Sequence, residues 1–147
     1  VEQVKILYAE AEENNLGAKA LNERFRRWDT CSEDALPVYE ALLSTGRRIG
    51  AHEEHLLIVQ SNLANTYQMF GRREEANRMM RDIYFGRLKL SGEEDYETLT
   101  AASNYAASLF ELQRYAEAKE FMRKTIPVAR HVLGNSNDIT LRMRWTY

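Results

Sequence analysis

Asn62 and Asn104 are the same residue type placed 42 positions apart. A carboxamide both donates and accepts hydrogen bonds, so each could hold the main chain of an extended peptide whatever that peptide's sequence, or else serve as ordinary helix surface or a local cap. Asn65 offers the same chemistry without a counterpart at that offset. Other candidates are weaker. His52 and His55, at i and i+3, would share one helical face, but two imidazoles do not complete a metal site and no HExxH motif accompanies them. They fit a connector leading into a helix. Cys31 is the single cysteine, so it can form neither an intrachain disulfide nor a multi-cysteine zinc site, and no histidine lies near it in sequence to activate a thiolate. Arg24, Arg26 and Arg27, and later Arg72, Arg73, Arg78 and Arg81, are dense enough to meet an acidic segment. Solvated helix faces with pairs such as Glu74 and Arg78 account for most arginines of this kind. There is no Gly-rich phosphate loop, and no acid–base pair stands apart from ordinary surface. The expectation is no enzyme, no cofactor and no metal.

The elements that must position the asparagines follow from composition. Of 147 residues, 44% are hydrophobic and 29% charged, which suits a folded chain. Seven Gly and two Pro are too few for the many tight turns of an all-β domain, so the class is all-α. A net charge of -2 offers no bulk attraction to nucleic acid or to an anionic membrane, and no apolar run reaches the roughly 18 residues of a membrane span. No bulk electrostatic partner is implied. A lone cysteine is compatible with a reducing compartment, so an intracellular, cytoplasmic location is expected. The chain starts at Val1 and stops at Tyr147 inside a helical pattern, which suggests a piece of a longer chain or complex.

The sequence from Gly50 onward repeats at an offset of 42: Leu57 maps to Leu99 and Leu141, Ala64 to Ala106, Ala76 to Ala118, Met80 to Met122, and Gly92 to Gly134. A weaker copy precedes it, in which Leu21, Phe25 and Trp28 match Leu63, Tyr67 and Phe70. Within each copy the apolar residues take helical spacing twice, as in Leu56, Val59, Leu63 and Tyr67 and then Ala76, Met80, Ile83 and Tyr84. Each copy is therefore a helical pair. Gly71 separates the two helices, Gly92 and Gly134 sit where second helices end, and Asp95 and Asn137 are placed to cap the next ones. Pro37 falls in a first turn, whereas Pro127 lies within a helix and predicts a kink there rather than a break.

The run Asn62-Leu63-Ala64-Asn65-Thr66-Tyr67 with Gly71-Arg72-Arg73-Glu74-Glu75-Ala76, echoed by Asn104-Tyr105-Ala106 and Arg114-Tyr115-Ala116-Glu117-Ala118, resembles the tetratricopeptide repeat. The 42-residue period and the steps from Leu133-Gly134 to Thr140-Leu141 and from Gly92 to Thr98-Leu99 narrow the resemblance to the long variety found in kinesin light chains. The His-Pro usual in that connector is absent: Asp95-Tyr96 and Asn137-Asp138 stand there.

The resemblance implies a right-handed superhelical solenoid of antiparallel helix pairs whose first helices line a concave groove. Its divisions would be residues 1–17 as an N-terminal helix, either a cap or the end of a preceding repeat, 18–50 as a divergent first repeat, 51–92 and 93–134 as the second and third, and 135–147 as the truncated first helix of a fourth. The groove would be formed by Ile58, Ser61, Asn62, Asn65 and Gln68, by Ser103, Asn104 and Phe110, and by Arg142 and Trp145. The function implied is a protein-binding scaffold or adaptor that takes a peptide segment in that groove. The alternatives are a non-catalytic regulatory region of a larger enzyme and a fixed subunit of a large assembly.

Overall fold

A computed structural model describes residues 35–146, and among them all regular structure is helical. The helices expected over residues 1–17 and at the start of the weakest copy, with Cys31, Trp28, Arg24, Arg26 and Arg27, fall outside the described residues. The described helices are α1 (Ala35–Ile49), α2 (Glu53–Met69), α3 (Arg73–Ser91), α4 (Tyr96–Glu111), α5 (Tyr115–Leu133) and α6 (Asp138–Thr146). The chain divides into two compact units, Val1–Arg72 and Arg73–Tyr147.

In the first unit α1 and α2 pack as a hairpin. Tyr39 and Leu42 from α1, and Leu57, Val59 and Leu63 from α2, are almost wholly buried. At its edge the Tyr67 hydroxyl donates to Glu40 Oε1 at 2.8 Å, and the Arg72 guanidinium lies 4.3 Å from the Tyr67 ring centroid and 3.7 Å from the Glu40 carboxylate. Ion pair and cation–π contact together hold the side chain that follows the turn.

In the second unit α4 is the central element, packing against α3, α5 and α6, and α5 also packs on α6. Small residues make this possible. Ala106 and Ala118 meet with Leu109 and Met122 in one cluster, while Ala102 and Ala129 meet Leu99, Ile139 and Met143 in a second. An alanine at a crossing lets two helix backbones approach closely enough for the larger neighbours to interlock. Tyr84, Tyr105 and Phe121 close the seam edge to face, with Phe121 5.0 Å from each tyrosine ring. A buried polar link adds to it: Asn77 Nδ2 donates to Ser108 Oγ at 2.8 Å, and Arg114 Nη1 donates to Asn77 Oδ1 at 3.3 Å. Arg114 also grips Glu117 with two hydrogen bonds of 2.6 and 2.7 Å, which hold the Glu117 carboxyl below its ordinary range. The contribution of that pair is complete above the ordinary carboxylate pKa and is lost as pH falls through the lowered one.

Helix ends follow local rules. Asp95 caps α4, its carboxylate accepting from the Thr98 backbone N–H at 3.0 Å, and Asn137 Oδ1 accepts from the Ile139 N–H at 2.9 Å at the start of α6. Asp95→Ala should cost about 1 kcal/mol in a urea melt. An unchanged midpoint would remove the cap from the list of stabilising contacts. Gly92 and Gly134 end α3 and α5 with φ of 85° and 86°. The helix α5 runs through Pro127 without a break.

One turn departs from the repeat. After α2, Gly71 N–H bonds to the Gln68 carbonyl and Arg72 N–H to that of Tyr67; after α4, Gln113 and Arg114 bond in the same way to Phe110 and Leu109. Both are Schellman ends. The left-handed residue is Gly71 in one, with φ of 71°, and Gln113 in the other, with φ of 59°. A side chain in that conformation costs roughly 1 kcal/mol that glycine avoids, so Gln113→Gly should stabilise the protein by about 0.5–1 kcal/mol. A lower denaturation midpoint in that variant would contradict the strain.

Candidate functional site

The spacing of α6 places Asp138, Leu141, Arg142 and Trp145 on one face, because positions i, i+3, i+4 and i+7 are neighbours on a helix. With Phe110 from the end of α4 they line an open cleft of about 700 Å³. Two large apolar side chains stand in it largely uncovered, Phe110 at 46% and Trp145 at 88% exposure. Phe110 also meets Tyr115 edge to face at 4.9 Å, so its ring is braced from one side.

Along the wall of this cleft Arg142 reaches back to α4. Its Nε and Nη2 donate to Ser103 Oγ at 3.2 and 2.9 Å, and Nη2 donates to Asn104 Oδ1 at 3.0 Å. Ser103 is buried beneath it, while Asn104 and Arg142 remain exposed. The guanidinium thus uses the carboxamide's acceptor and leaves Asn104 Nδ2, two donors, facing outward with no partner among the described residues. The arrangement is a donor-rich ledge beside an aromatic cleft. It suits backbone carbonyls or carboxylates next to a bulky side chain, and it presents no nucleophile paired with a base.

Of the residues singled out in the sequence, Ser103, Asn104, Phe110 and Arg142 are brought together in the second unit. Ser61, Asn62, Asn65 and Gln68 lie on α2 in the first unit. There Asn65 is exposed, Asn62, Ser61 and Gln68 are partly buried, and Ser61 donates to its own helix at the Leu57 carbonyl, 2.8 Å away. Ile58, placed with them by its helical position, is 6% exposed and belongs to the packed interior. Asp138 and Leu141 were not singled out, although the same helical spacing that relates Arg142 to Trp145 pointed to them.

His52 and His55 stand edge to face at 6.1 Å at the start of α2, and no group of three metal-ligating side chains occurs among the described residues. His55 is buried, and its Nδ1 has no hydrogen-bond partner among the described residues. Arg72 serves Tyr67 and Glu40, Arg81 pairs with its neighbour Asp82 at 3.2 Å, and Arg78 makes no ion pair among the described residues. Among the described residues, no helix is long and apolar enough to cross a membrane.

Comparison with solved structures finds a similar fold in the crystal structure of BtubC (BKLC) from P. vanneervenii, with a TM-score of 0.70 at 17% identity over 95% of this chain. The chain spans 58% of that protein's length. No curated protein matches the sequence. The family model for the tetratricopeptide repeat matches residues 56–94 and 98–138, more than half of the sequence. With α2 to α5 falling on those two stretches, the chain belongs to the tetratricopeptide repeat family, in its long, kinesin-light-chain-like form.

Proposed function

We propose that the chain is a scaffold or adaptor segment that binds an extended peptide of a partner protein across α4 and α6. Tetratricopeptide repeats act in general as protein-interaction scaffolds and are generally non-catalytic. The finer reading rests on one observation, that Arg142 ties Ser103 and Asn104 into a polar ledge beside the cleft between Phe110 and Trp145. Main-chain carbonyls or a carboxylate of the peptide would pair with Asn104 and Arg142, and an apolar side chain would enter the cleft. The division into repeats at 51–92 and 93–134, with 135–147 opening a fourth, belongs to the same proposal. So do an intracellular setting and an equivalent peptide-holding role for Ser61, Asn62, Asn65 and Gln68 on α2.

Co-precipitation with the wild-type chain and with an Asn62→Ala/Asn104→Ala variant tests it. The variant should recover its partners about tenfold less well, the loss expected for about 1.4 kcal/mol of binding. Arg142→Ala should act in the same direction, because it releases Asn104. Equal recovery by folded variants would refute peptide binding at these residues.

A further inference from the structure

The connector between α5 and α6 runs Gly134-Asn135-Ser136-Asn137. Gly134, at φ of 86°, turns the chain out of α5 while its N–H still bonds to the Arg130 carbonyl at 3.1 Å. The turn brings Asn135 back to the last turn of that helix, where Arg130 Nε donates to Asn135 Oδ1 at 2.8 Å. Asn135 and Ser136 are both exposed, and the Ser136 N–H has no hydrogen-bond partner among the described residues.

Asparagine is a chemically labile side chain, because the main-chain nitrogen of the next residue can close on its Cγ. Closure needs that nitrogen free of a helical bond and the next side chain small. Asn135 with Ser136 meets both conditions, and the other described asparagines do not. Asn62, Asn65, Asn77 and Asn104 lie within helices, where the following N–H is held by a carbonyl four residues back. Asn137 turns its Oδ1 to the Ile139 N–H, and the charged Asp138 follows it. The repeat also shows what the position accepts. Forty-two residues earlier stands Glu93, a carboxylate that stays exposed with α4 and α5 packed after it. An acid at this place therefore fits the packed array.

We propose that Asn135 is a self-modification site, which deamidates through Ser136 with the help of Arg130. The Ser136 main-chain nitrogen gives up its proton to solvent and bonds to Asn135 Cγ. The Cγ–Nδ2 bond breaks, Nδ2 leaves as ammonia, and a succinimide ring remains. Water opens the ring, at Cγ to give aspartate or at the main-chain carbonyl to give isoaspartate, and nothing is oxidised or reduced. Arg130 acts on the first step. Negative charge builds on Oδ1 as the nitrogen attacks, and the guanidinium already donates to that oxygen. The aspartate product keeps this hydrogen bond and strengthens it, since its acceptor is then a carboxylate. The isoaspartate product instead lengthens the main chain of the connector by a methylene. The reaction needs nothing from the ledge of Ser103, Asn104 and Arg142.

The test incubates the whole chain at neutral and at mildly alkaline pH and follows it by digestion and mass spectrometry, which reads the amide-to-acid change residue by residue. Conversion should appear first at Asn135, severalfold faster than at Asn137 or at any asparagine of α2, α3 or α4, and should quicken at the higher pH because the attacking nitrogen must lose a proton. Arg130→Ala, checked for unchanged helicity, should slow it severalfold, and Arg130→Lys should restore part of the rate. Ser136→Val should slow it further by crowding the attacking nitrogen. In urea, where the bond to Arg130 is gone, wild type and Arg130→Ala should react at equal rates, which separates the folded connector from the bare sequence. The proposal is overturned if Asn135 stays intact, if another described asparagine reacts first, or if folded Arg130→Ala reacts as fast as wild type.

Discussion

Met122→Ala is expected to destabilise the protein by about 2–5 kcal/mol, the range for truncating a buried long side chain. Met122 is 1% exposed and sits with Ala106, Leu109 and Ala118 where α4 crosses α5. The two alanines have no side chain to extend into the vacated volume, so the cavity stays largely unfilled. Met69→Ala is the matched control: Met69 is 56% exposed, and its loss should fall within about 0.5 kcal/mol of zero. Met122→Leu keeps most of the volume and should cost less than about 1.5 kcal/mol. Urea denaturation followed by circular dichroism measures all three. Equal midpoints for the two alanine variants would mean that α4 and α5 do not pack as described.

Asn77→Ala should cost about 1–3 kcal/mol, because it removes a buried hydrogen bond and leaves the groups that met it short of a partner. Asn77 is 3% exposed and links Ser108 on α4 to Arg114 at the start of α5. The Ser108 hydroxyl keeps its own bond to the Tyr105 carbonyl at 2.8 Å, so what it loses is the donor pointing at it. A double-mutant cycle with Ser108→Ala should give a coupling of at least about 0.5 kcal/mol. Strictly additive losses would show that the two side chains act independently. Asn104→Ala, at an exposed asparagine, should leave stability nearly unchanged while weakening partner binding. One residue type thus stands in a buried link at position 77 and, in the proposed reading, in a recognition ledge at position 104.

The periodic part of this structure was legible in the residues. Leu57 and Leu99, Ala64 and Ala106, and Met80 and Met122 recur at 42 and are all buried. The caps at Asp95 and Asn137 and the glycine ends at Gly92 and Gly134 were legible as well, since each depends on a few neighbouring residues. What departs from the period was harder to read. Lys119 occupies Asn77's place one repeat later, so nothing in the repeat marked Asn77 as a buried link. Ile58 has the helical position of an open-face residue and is buried nonetheless, because a helical wheel gives direction and not what covers it. The pair of Arg142 with Ser103 and Asn104 joins residues 39 and 38 apart, near the period without matching it, and no spacing rule selects it.

Helix, turn and repeat were thus written into the order of residues, because their hydrogen bonds close over three to five positions and their apolar faces recur with the helical period. Which polar side chains meet was settled when α3, α4, α5 and α6 packed together. That packing buried Ser103 under Arg142, left Asn104 exposed against Arg142, and gathered Arg123, Arg130 and Arg144 around one apolar floor. Such meetings depend on distances between separate helices, which the one-dimensional pattern does not carry.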